Sequence, residues 1–377
     1  MEYRYISADN HLDLLWCPPD LWQSRVPASM REQAPKVELI DGTARWVWEG
    51  KVWGASASAG TDAETAFTEN ALKTEVGTLA PGSLPPSTPD IMLSHMDRSH
   101  VWAHVIYGFT RKQRFEDPEL DKVCNRAFND FMFDLSAAAP ERIIGLPSLP
   151  TAFPDECAQE AKRAAAAGAK GVEFSIFTAA EPIWSPVWEP LWSVLDETGL
   201  VLSMHIGAPA GTPYPPHEHG RYPAHFCFSP FATQRPMAEI IFSGVLERHP
   251  ALKVVFGECR TGWLPFFIEH MDRQARERPT DVKLSLKPSE YWQRQMSATF
   301  EDDKVGVELL KQDWSHLQYM VMWGSDYPHN SVTWPNTDQL IDELFIGVPQ
   351  DVRNSALYGR ACDFYGLAMP TAAGSAT

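Results

Sequence analysis

Five polar side chains each close an otherwise apolar run in this chain. Asp9 and His11 follow residues 3–8, and His205 ends the run 200–205 within Ser203-Met204-His205-Ile206-Gly207. Glu258 ends 252–258, and Asp326 ends 319–326 within Met320-Val-Met-Trp-Gly-Ser-Asp-Tyr-Pro-His329. Imidazole nitrogens and carboxylate oxygens together suit Zn²⁺, and also Mn²⁺ or Fe²⁺. Asp9 and His11 are two apart, so on an extended chain they project to one side and could grip one ion together. Each residue also has a structural reading when taken singly: Asp326 as a helix cap, either His as a hydrogen-bonded core residue. Jointly, two imidazoles and three carboxylates at one rim would concentrate unneutralised charge, and only nearby Arg260 offers a cation. Buried carboxylates need a partner or a raised pKa. A divalent cation is the economical partner.

Such a convergence requires strands whose ends meet. Residues 319–323 are apolar throughout, as expected of a strand buried on both faces of a parallel sheet, and Gly324, Ser325 and Pro328 break regular structure behind it. Further strands are expected at 3–8, 101–107, 143–146, 171–176, 200–205, 252–258 and 296–300. Helical patterns lie between them at 91–99, 118–139, 154–167, 186–197, 235–248, 263–278 and 303–311, with further helices near 338–345 and 351–365. Eight strands alternating with helices predict parallel pairing and closure into a (β/α)8 TIM barrel, whose core takes ~250 residues and whose chemistry sits at the carboxyl ends of the strands. A doubly wound open sheet is the competing architecture; no Gly-x-Gly-x-x-Gly turn follows the first strand, which favours the barrel. The chain is expected to form a single domain over 1–377. Residues 31–89 form an insertion after strand 1 whose Asp41-Gly42 and Glu49-Gly50 pairs predict a small β meander. A lid-like loop spans 207–230, and extra helices close the carboxyl-terminal end.

A chain of 377 residues, 44% hydrophobic, can bury a large core. No apolar run approaches the ~20 residues of a membrane helix, and Met1-Glu2-Tyr3-Arg4 opens no signal-peptide core. A cytoplasmic protein without a membrane partner is expected. Lys plus Arg is 32 against 49 Asp plus Glu, a net charge of −17, which repels nucleic acid. Six cysteines at 17, 124, 157, 227, 259 and 362 show neither a disulfide framework nor a Cys-x-x-Cys metal spacing. Fourteen Trp, among them Trp16, Trp102, Trp184, Trp188 and Trp192, make an aromatic substrate plausible, though most are expected in the core or at an interface. His217, His219 and His225 in the 207–230 loop are not at a strand end and are expected to be solvated or structural. The loop's length suggests a lid or a contact in a homo-oligomer, a dimer or larger.

Asp9-x-His11, the His after strand five, Phe-Gly-Glu-Cys-Arg-Thr-Gly-Trp-Leu-Pro at 256–265 and Trp-Gly-Ser-Asp-Tyr-Pro-His at 323–329 resemble the amidohydrolase-2 branch of the amidohydrolase superfamily, which includes the aminocarboxymuconate-semialdehyde decarboxylase-like enzymes. The resemblance implies a metal-bearing (β/α)8 barrel with Asp9, His11, His205 and Asp326 as ligands. Two departures stand out: position 9 is Asp where many relatives have His-x-His, and Glu258 stands where many decarboxylases carry a His. Bimetallic relatives use a carboxylated Lys at the end of strand four. Here Lys170 precedes that strand and Glu173 lies within it, so one ion is expected, Zn²⁺ first and Mn²⁺ or Fe²⁺ as alternatives; Glu173 as a bridging ligand would overturn that count. A bound divalent ion lowers the pKa of water from ~15.7 toward ~7. The principal reading is therefore a metal-dependent hydrolase acting on a carbonyl-derived bond of a small aromatic or cyclic substrate. Asp326 would accept the proton of water, and Glu258 or His329 would protonate the leaving group. Structural alternatives are a Glu258–Arg260 pair and a hydrogen-bonding role for His329 beside the metal. The alternative chemistry is non-oxidative decarboxylation of an aromatic or unsaturated acid, with Arg260 or Arg235 as the carboxylate anchor. A degenerate, non-catalytic barrel is the third reading.

Overall fold

The computed structural model describes residues 2–59, 83–108, 115–207, 215–216, 218–278, 283–329 and 334–370. The first strand, β1 (Tyr5–His11), is buried along its whole length and runs through Asp9 and His11 rather than ending before them. An antiparallel meander follows, formed by β2 (Lys36–Ile40), β3 (Thr43–Trp48) and β4 (Lys51–Ala55). Both of its turns place two residues at positive φ, Asp41 at 50° with Gly42 at 80° and Glu49 at 50° with Gly50 at 69°. That backbone matches the twist of a two-residue hairpin, which is why Asp-Gly and Glu-Gly stand there. Most of the expected covering segment that follows falls outside the described residues.

Seven more strands continue the alternation: β5 (Val101–Tyr107), β6 (Ile143–Leu146), β7 (Gly171–Glu173), β8 (Val201–His205), β9 (Val254–Gly257), β10 (Met296–Phe300) and β11 (Val321–Trp323). They form two wholly parallel ladders, β1-β5-β6 and β7-β8-β9-β10-β11. The ladders touch at both edges through isolated parallel bridges, Asn10 with Tyr327 and Ser148 with Glu173. The His11 amide donates to the Tyr327 carbonyl (2.7 Å) across one seam, and the Glu173 amide donates to the Pro147 carbonyl (2.9 Å) across the other. Parallel pairing turns every carboxyl end toward the same rim. Strand burial on both faces explains why the runs are apolar without alternation.

Several boundaries differ from those expected, each for a local reason. The 235–248 helix is two helices, Gln234–Phe242 and Val245–Arg248, because Gly244 adopts φ 74° between them. The 351–365 helix passes through a wider π turn at Ser355–Gly359. The expected strands at 171–176 and 319–326 are three residues each, since their ends leave the ladder to form the rim. Within the 207–230 segment, Arg221–Phe228 is a helix with no buried residue, and residues 208–214 and His217 lie outside the described residues. Of the tryptophans, Trp16, Trp188 and Trp192 are fully buried core, whereas Trp184 is exposed. No helix among the described residues is long and apolar enough to cross a membrane.

Candidate metal centre

Asp9, His11 and His205 bring one donor atom each within 4.8 Å of one another, and His11, Glu258, Asp326 and His329 do the same. All the expected strand-end residues therefore converge. His11 Nε2 lies 3.4 Å from Asp9 Oδ1 and 3.3 Å from Asp326 Oδ1; His205 Nε2 lies 3.4 Å from Asp9 Oδ1 and 3.4 Å from Glu258 Oε2. Asp9 Oδ1, His11 Nε2 and His205 Nε2 are buried with no hydrogen-bond partner among the described residues. Orphaned polar atoms of this kind are rare in a core and cost about 1–3 kcal/mol each. Donors bound to one ion at about 2.0–2.2 Å stand about 3.0–3.5 Å apart, so the observed spacings fit a shared divalent ion better than hydrogen bonds among the donors.

Local sequence explains how these atoms approach so closely. Gly257, at the end of β9, faces His205: a Cβ there would lie 2.5 Å from His205 Cδ2 and 2.9 Å from the Tyr107 hydroxyl. Gly324, after β11, lets that strand end reach β1, since its Cβ would sit 2.4 Å from Asp9 Cβ and 3.1 Å from the Asp9 amide nitrogen. Below them, Ser325 donates its amide to Ser7 Oγ (2.7 Å) and its hydroxyl to Asn10 Oδ1 (2.7 Å), while Asn10 Nδ2 donates to the Val105 carbonyl (2.9 Å). These bonds tie β1 to both neighbours directly beneath the donors. The other ring nitrogen of His205, Nδ1, pairs with the Ile206 carbonyl (2.9 Å), which turns Nε2 inward. Glu258 and Asp326 sit at φ 51° and 55°. A left-handed backbone costs a residue with a Cβ about 1–2 kcal/mol and persists where neighbouring bonds over-determine it. Here the Glu258 amide is held by Asp9 Oδ2 (2.8 Å) and Thr299 Oγ1 (2.7 Å), and the Asp326 amide by the Asp9 carbonyl (3.0 Å).

The electrostatics follow from crowding. Burial opposes charge on Asp9, yet the His205 and His11 imidazoles outweigh it and hold the carboxyl well below its usual range. Burial likewise opposes protonation of His205, but Asp9 and Glu258 push its pKa up to about 10. The imidazoles thus take up positive charge that a cation would otherwise bring. Glu258, its side chain 26% exposed, is raised to about 7 by burial and by the Asp326 charge, against the pull of His205 and His329. The expected structural pairing of Glu258 with Arg260 does not occur: Arg260 Nη1 turns away to the Asp302 carbonyl (2.7 Å), and no ion pair joins the two among the described residues. Arg235 is 86% exposed on its side chain and faces Glu239. His329 is held from both sides, Nδ1 at 2.7 Å from Asp326 Oδ1 and Nε2 at 2.8 Å from Asp13 Oδ2. Burial opposes its charge, but these two carboxylates keep its pKa well above the usual imidazole value. His219 and His225 stay outside this cluster, one exposed and one half-buried.

A profile of the Amidohydrolase family matches residues 110–367. The chain belongs to this family. This amidohydrolase is similar in structure to an amidohydrolase from Mycobacterium avium subsp. paratuberculosis K-10 (TM-score 0.70, 18% identity, 98% of this chain and 100% of that one). It is similar to the 5-carboxyvanillate decarboxylase of Sphingomonas paucimobilis (TM-score 0.65, 21% identity, 97% and 100%). It is also similar to that of Novosphingobium aromaticivorans with manganese and 4-hydroxy-3-methoxy-5-nitrobenzoic acid (TM-score 0.67, 17% identity, 97% and 96%). No curated relative matches the chain in sequence.

Three residues of the amidohydrolase's site escaped the sequence reading. Asp13, four residues beyond Asp9, holds His329; nothing in the local sequence marks that partnership. Thr299 donates its hydroxyl to Asp9 Oδ2 from β10. Glu301 directly follows β10, as the other acids stand at the ends of their strands, so a search of strand ends would have found it. It is 3% exposed, and its Oε1 has no hydrogen-bond partner among the described residues. Glu173, on β7, is likewise buried, with Oε2 unpartnered and its pKa raised by burial to about 7; it belongs to neither cluster of donor atoms.

Proposed function

We propose that this amidohydrolase is a non-oxidative decarboxylase of hydroxy-substituted aromatic acids, with one divalent ion held by Asp9, His11, His205 and Asp326. The observation that carries the metal assignment is the set of buried donor atoms facing one another at 3.3–3.4 Å, of which Asp9 Oδ1, His11 Nε2 and His205 Nε2 have no hydrogen-bond partner among the described residues. Carbon–carbon cleavage is favoured over hydrolysis because several solved relatives are decarboxylases of such acids, acting on 5-carboxyvanillate or 2,6-dihydroxybenzoate. The presence of manganese in some of these structures makes Mn²⁺ the first ion to supply, ahead of Zn²⁺. The reading takes the chain as one domain whose ring of strands closes as a (β/α)8 barrel. A homo-oligomer is supported by the exposed Phe226, Phe228 and Phe231 on and after the unburied helix.

When bound, the ion supplies positive charge that draws in and orients the carboxylate and hydroxyl oxygens of the substrate. His329, fixed between Asp13 and Asp326, adds a second cation and holds the Asp326 carboxylate in place. No buried Lys or Arg lies against the donor cluster among the described residues, so anchoring of the substrate falls to these two positive centres. Glu258 lies with the donor cluster and is open to solvent on one side. It delivers a proton to the ring carbon as the bond to the carboxylate breaks: the electron pair of that bond stays on carbon, carbon dioxide leaves, and water reprotonates Glu258.

The test is a product screen of the Mn²⁺-loaded protein on hydroxybenzoates, aromatic amides and lactones. Release of carbon dioxide with loss of the ring carboxylate is expected. Hydrolysis of an amide or lactone without carbon dioxide from any acid would replace this reading by the hydrolase one.

A further inference from the structure

Away from the metal centre, a cleft of about 300 Å³ opens between two consecutive helices, Pro118–Ala137 and Pro154–Ala166. Neither helix carries a member of the donor clusters. Lys122, Asn125 and Arg126 line the cleft from the first helix, at the i, i+3 and i+4 positions that share one helical face. Glu156, Glu160 and Arg163 line it from the second. In a chain of net charge −17, three cations here stand against two carboxylates.

Most of these groups already satisfy one another. Glu160 Oε1 accepts from Arg163 Nη2 (2.6 Å) and Asn129 Nδ2 (2.6 Å), and Arg163 Nη1 reaches Asp130. Lys122 Nζ stands 2.9 Å from Glu119 and 4.0 Å from Glu156. Two donors are left over. Arg126 is exposed and meets no carboxylate among the described residues. Asn125 is only 3% exposed, and its Nδ2 has no acceptor among the described residues. A chain of partners sets which way that amide points. The Ser148 amide donates to Asn129 Oδ1 (2.8 Å), so Asn129 Nδ2 faces the Ser148 carbonyl (2.9 Å) and, at 3.5 Å, Asn125 Oδ1. Turning the Asn125 amide over would set two N–H groups against each other, so the orphan is a donor and the cleft lacks an acceptor. Buried polar groups without partners are rare.

We propose that this cleft is a second small-molecule site, which holds the carboxylate of a small organic acid against Asn125 Nδ2 and Arg126. It is separate from the reaction proposed above and does not depend on it. A carboxylate has two acceptor oxygens and serves both donors at once. Glu156 and Glu160 on the facing helix repel a doubly charged anion more than a singly charged one, which favours a monocarboxylate over a phosphate. Cavities that hold small molecules begin at about 300 Å³, room for one carboxylate on a single ring or a short aliphatic body. Val123 and Pro150, which also line the cleft, offer that body an apolar contact.

The experiment titrates the Mn²⁺-loaded full chain with 4-fluorobenzoate, 4,4,4-trifluorobutyrate and the neutral 4-fluorobenzamide, followed by fluorine NMR. At least one of the acids should bind with a Kd of about 1 mM or tighter. The amide should bind about tenfold more weakly than the ring acid. Preference for the ring acid marks an aromatic ligand and preference for the chain acid an aliphatic one. Arg126→Ala and Asn125→Leu should each weaken the bound acid about tenfold, whereas Asp326→Asn, altered at the metal centre, should stay within about twofold. Arg126 is exposed, so Arg126→Ala decides the matter even where Asn125→Leu fails to fold. The proposal is overturned if neither acid binds below about 10 mM, or if the amide binds as well as the acids. It is equally overturned if affinity follows Asp326 and ignores Arg126, or if a folded Asn125→Leu protein binds as the natural chain does.

Discussion

Replacing Gly257 by Ala adds one methyl group and no charge, donor or acceptor, yet it should disable the proposed metal centre. The added Cβ would lie 2.5 Å from His205 Cδ2, 2.9 Å from the Tyr107 hydroxyl and 3.0 Å from Tyr107 Cζ. Carbon atoms in contact prefer about 3.5–4.0 Å, so the imidazole must retreat by about 1 Å. Tyr107 limits the escape, its ring centre being 4.7 Å from that of His205. Ligand distances tolerate only about ±0.2 Å, so His205 Nε2 leaves bonding range. Disturbances of this kind beside a ligand lower metal affinity about 10–100-fold, and the overpacking costs about 1–3 kcal/mol of stability. Chelator competition followed by elemental analysis reads the affinity, and circular dichroism checks the fold. Gly54→Ala serves as control, since its Cβ would meet only Leu14 Cδ2 at 3.7 Å. A folded Gly257→Ala protein with manganese affinity within about twofold of the natural chain would refute the placement of His205 as a ligand.

Gly324→Ala pushes against Asp9 itself, Cβ at 2.4 Å and backbone nitrogen at 3.1 Å, so β11 must part from β1; a loss of about 1–3 kcal/mol or more in urea unfolding is expected, and unchanged stability would sink the close approach as an explanation of that glycine. Asp326→Asn removes the negative charge of a proposed ligand that faces His329 Nδ1 at 2.7 Å; turnover should vanish and metal affinity fall, and near-natural activity in this variant would contradict its assigned role.

How far the chain could be read in advance differs by element. The hairpin turns at Asp41-Gly42 and Glu49-Gly50 were legible because left-handed two-residue turns demand particular residues. The eight parallel strands were legible because burial on both faces leaves an unbroken apolar run. Asp9, His11, His205, Glu258 and Asp326 were legible as the polar residues that stop those runs. Hydrolysis was the principal expectation and decarboxylation the alternative; several structurally similar proteins are decarboxylases, and a single Glu at position 258 cannot distinguish a proton given to a leaving group from one given to carbon. Arg260 illustrates the limit of proximity in sequence. Two residues from Glu258, it was a natural partner, yet its left-handed backbone (φ 54°) aims the guanidinium at the Asp302 carbonyl instead.

Composition and pattern alone determined the donor chemistry, the order in which donors arrive and the rim at which they gather, because parallel strands separated by helices all end on one side. Tertiary structure decided which donor atoms face one another, that Asp13 clamps His329, and that Glu301 has an oxygen to spare. Those are properties of strand register and of backbone approach between segments as distant as Ser7 and Ser325, 318 residues apart. No local pattern encodes such meetings, since they arise only when glycines such as Gly257 and Gly324 allow separate strands to close to within a methyl group's width.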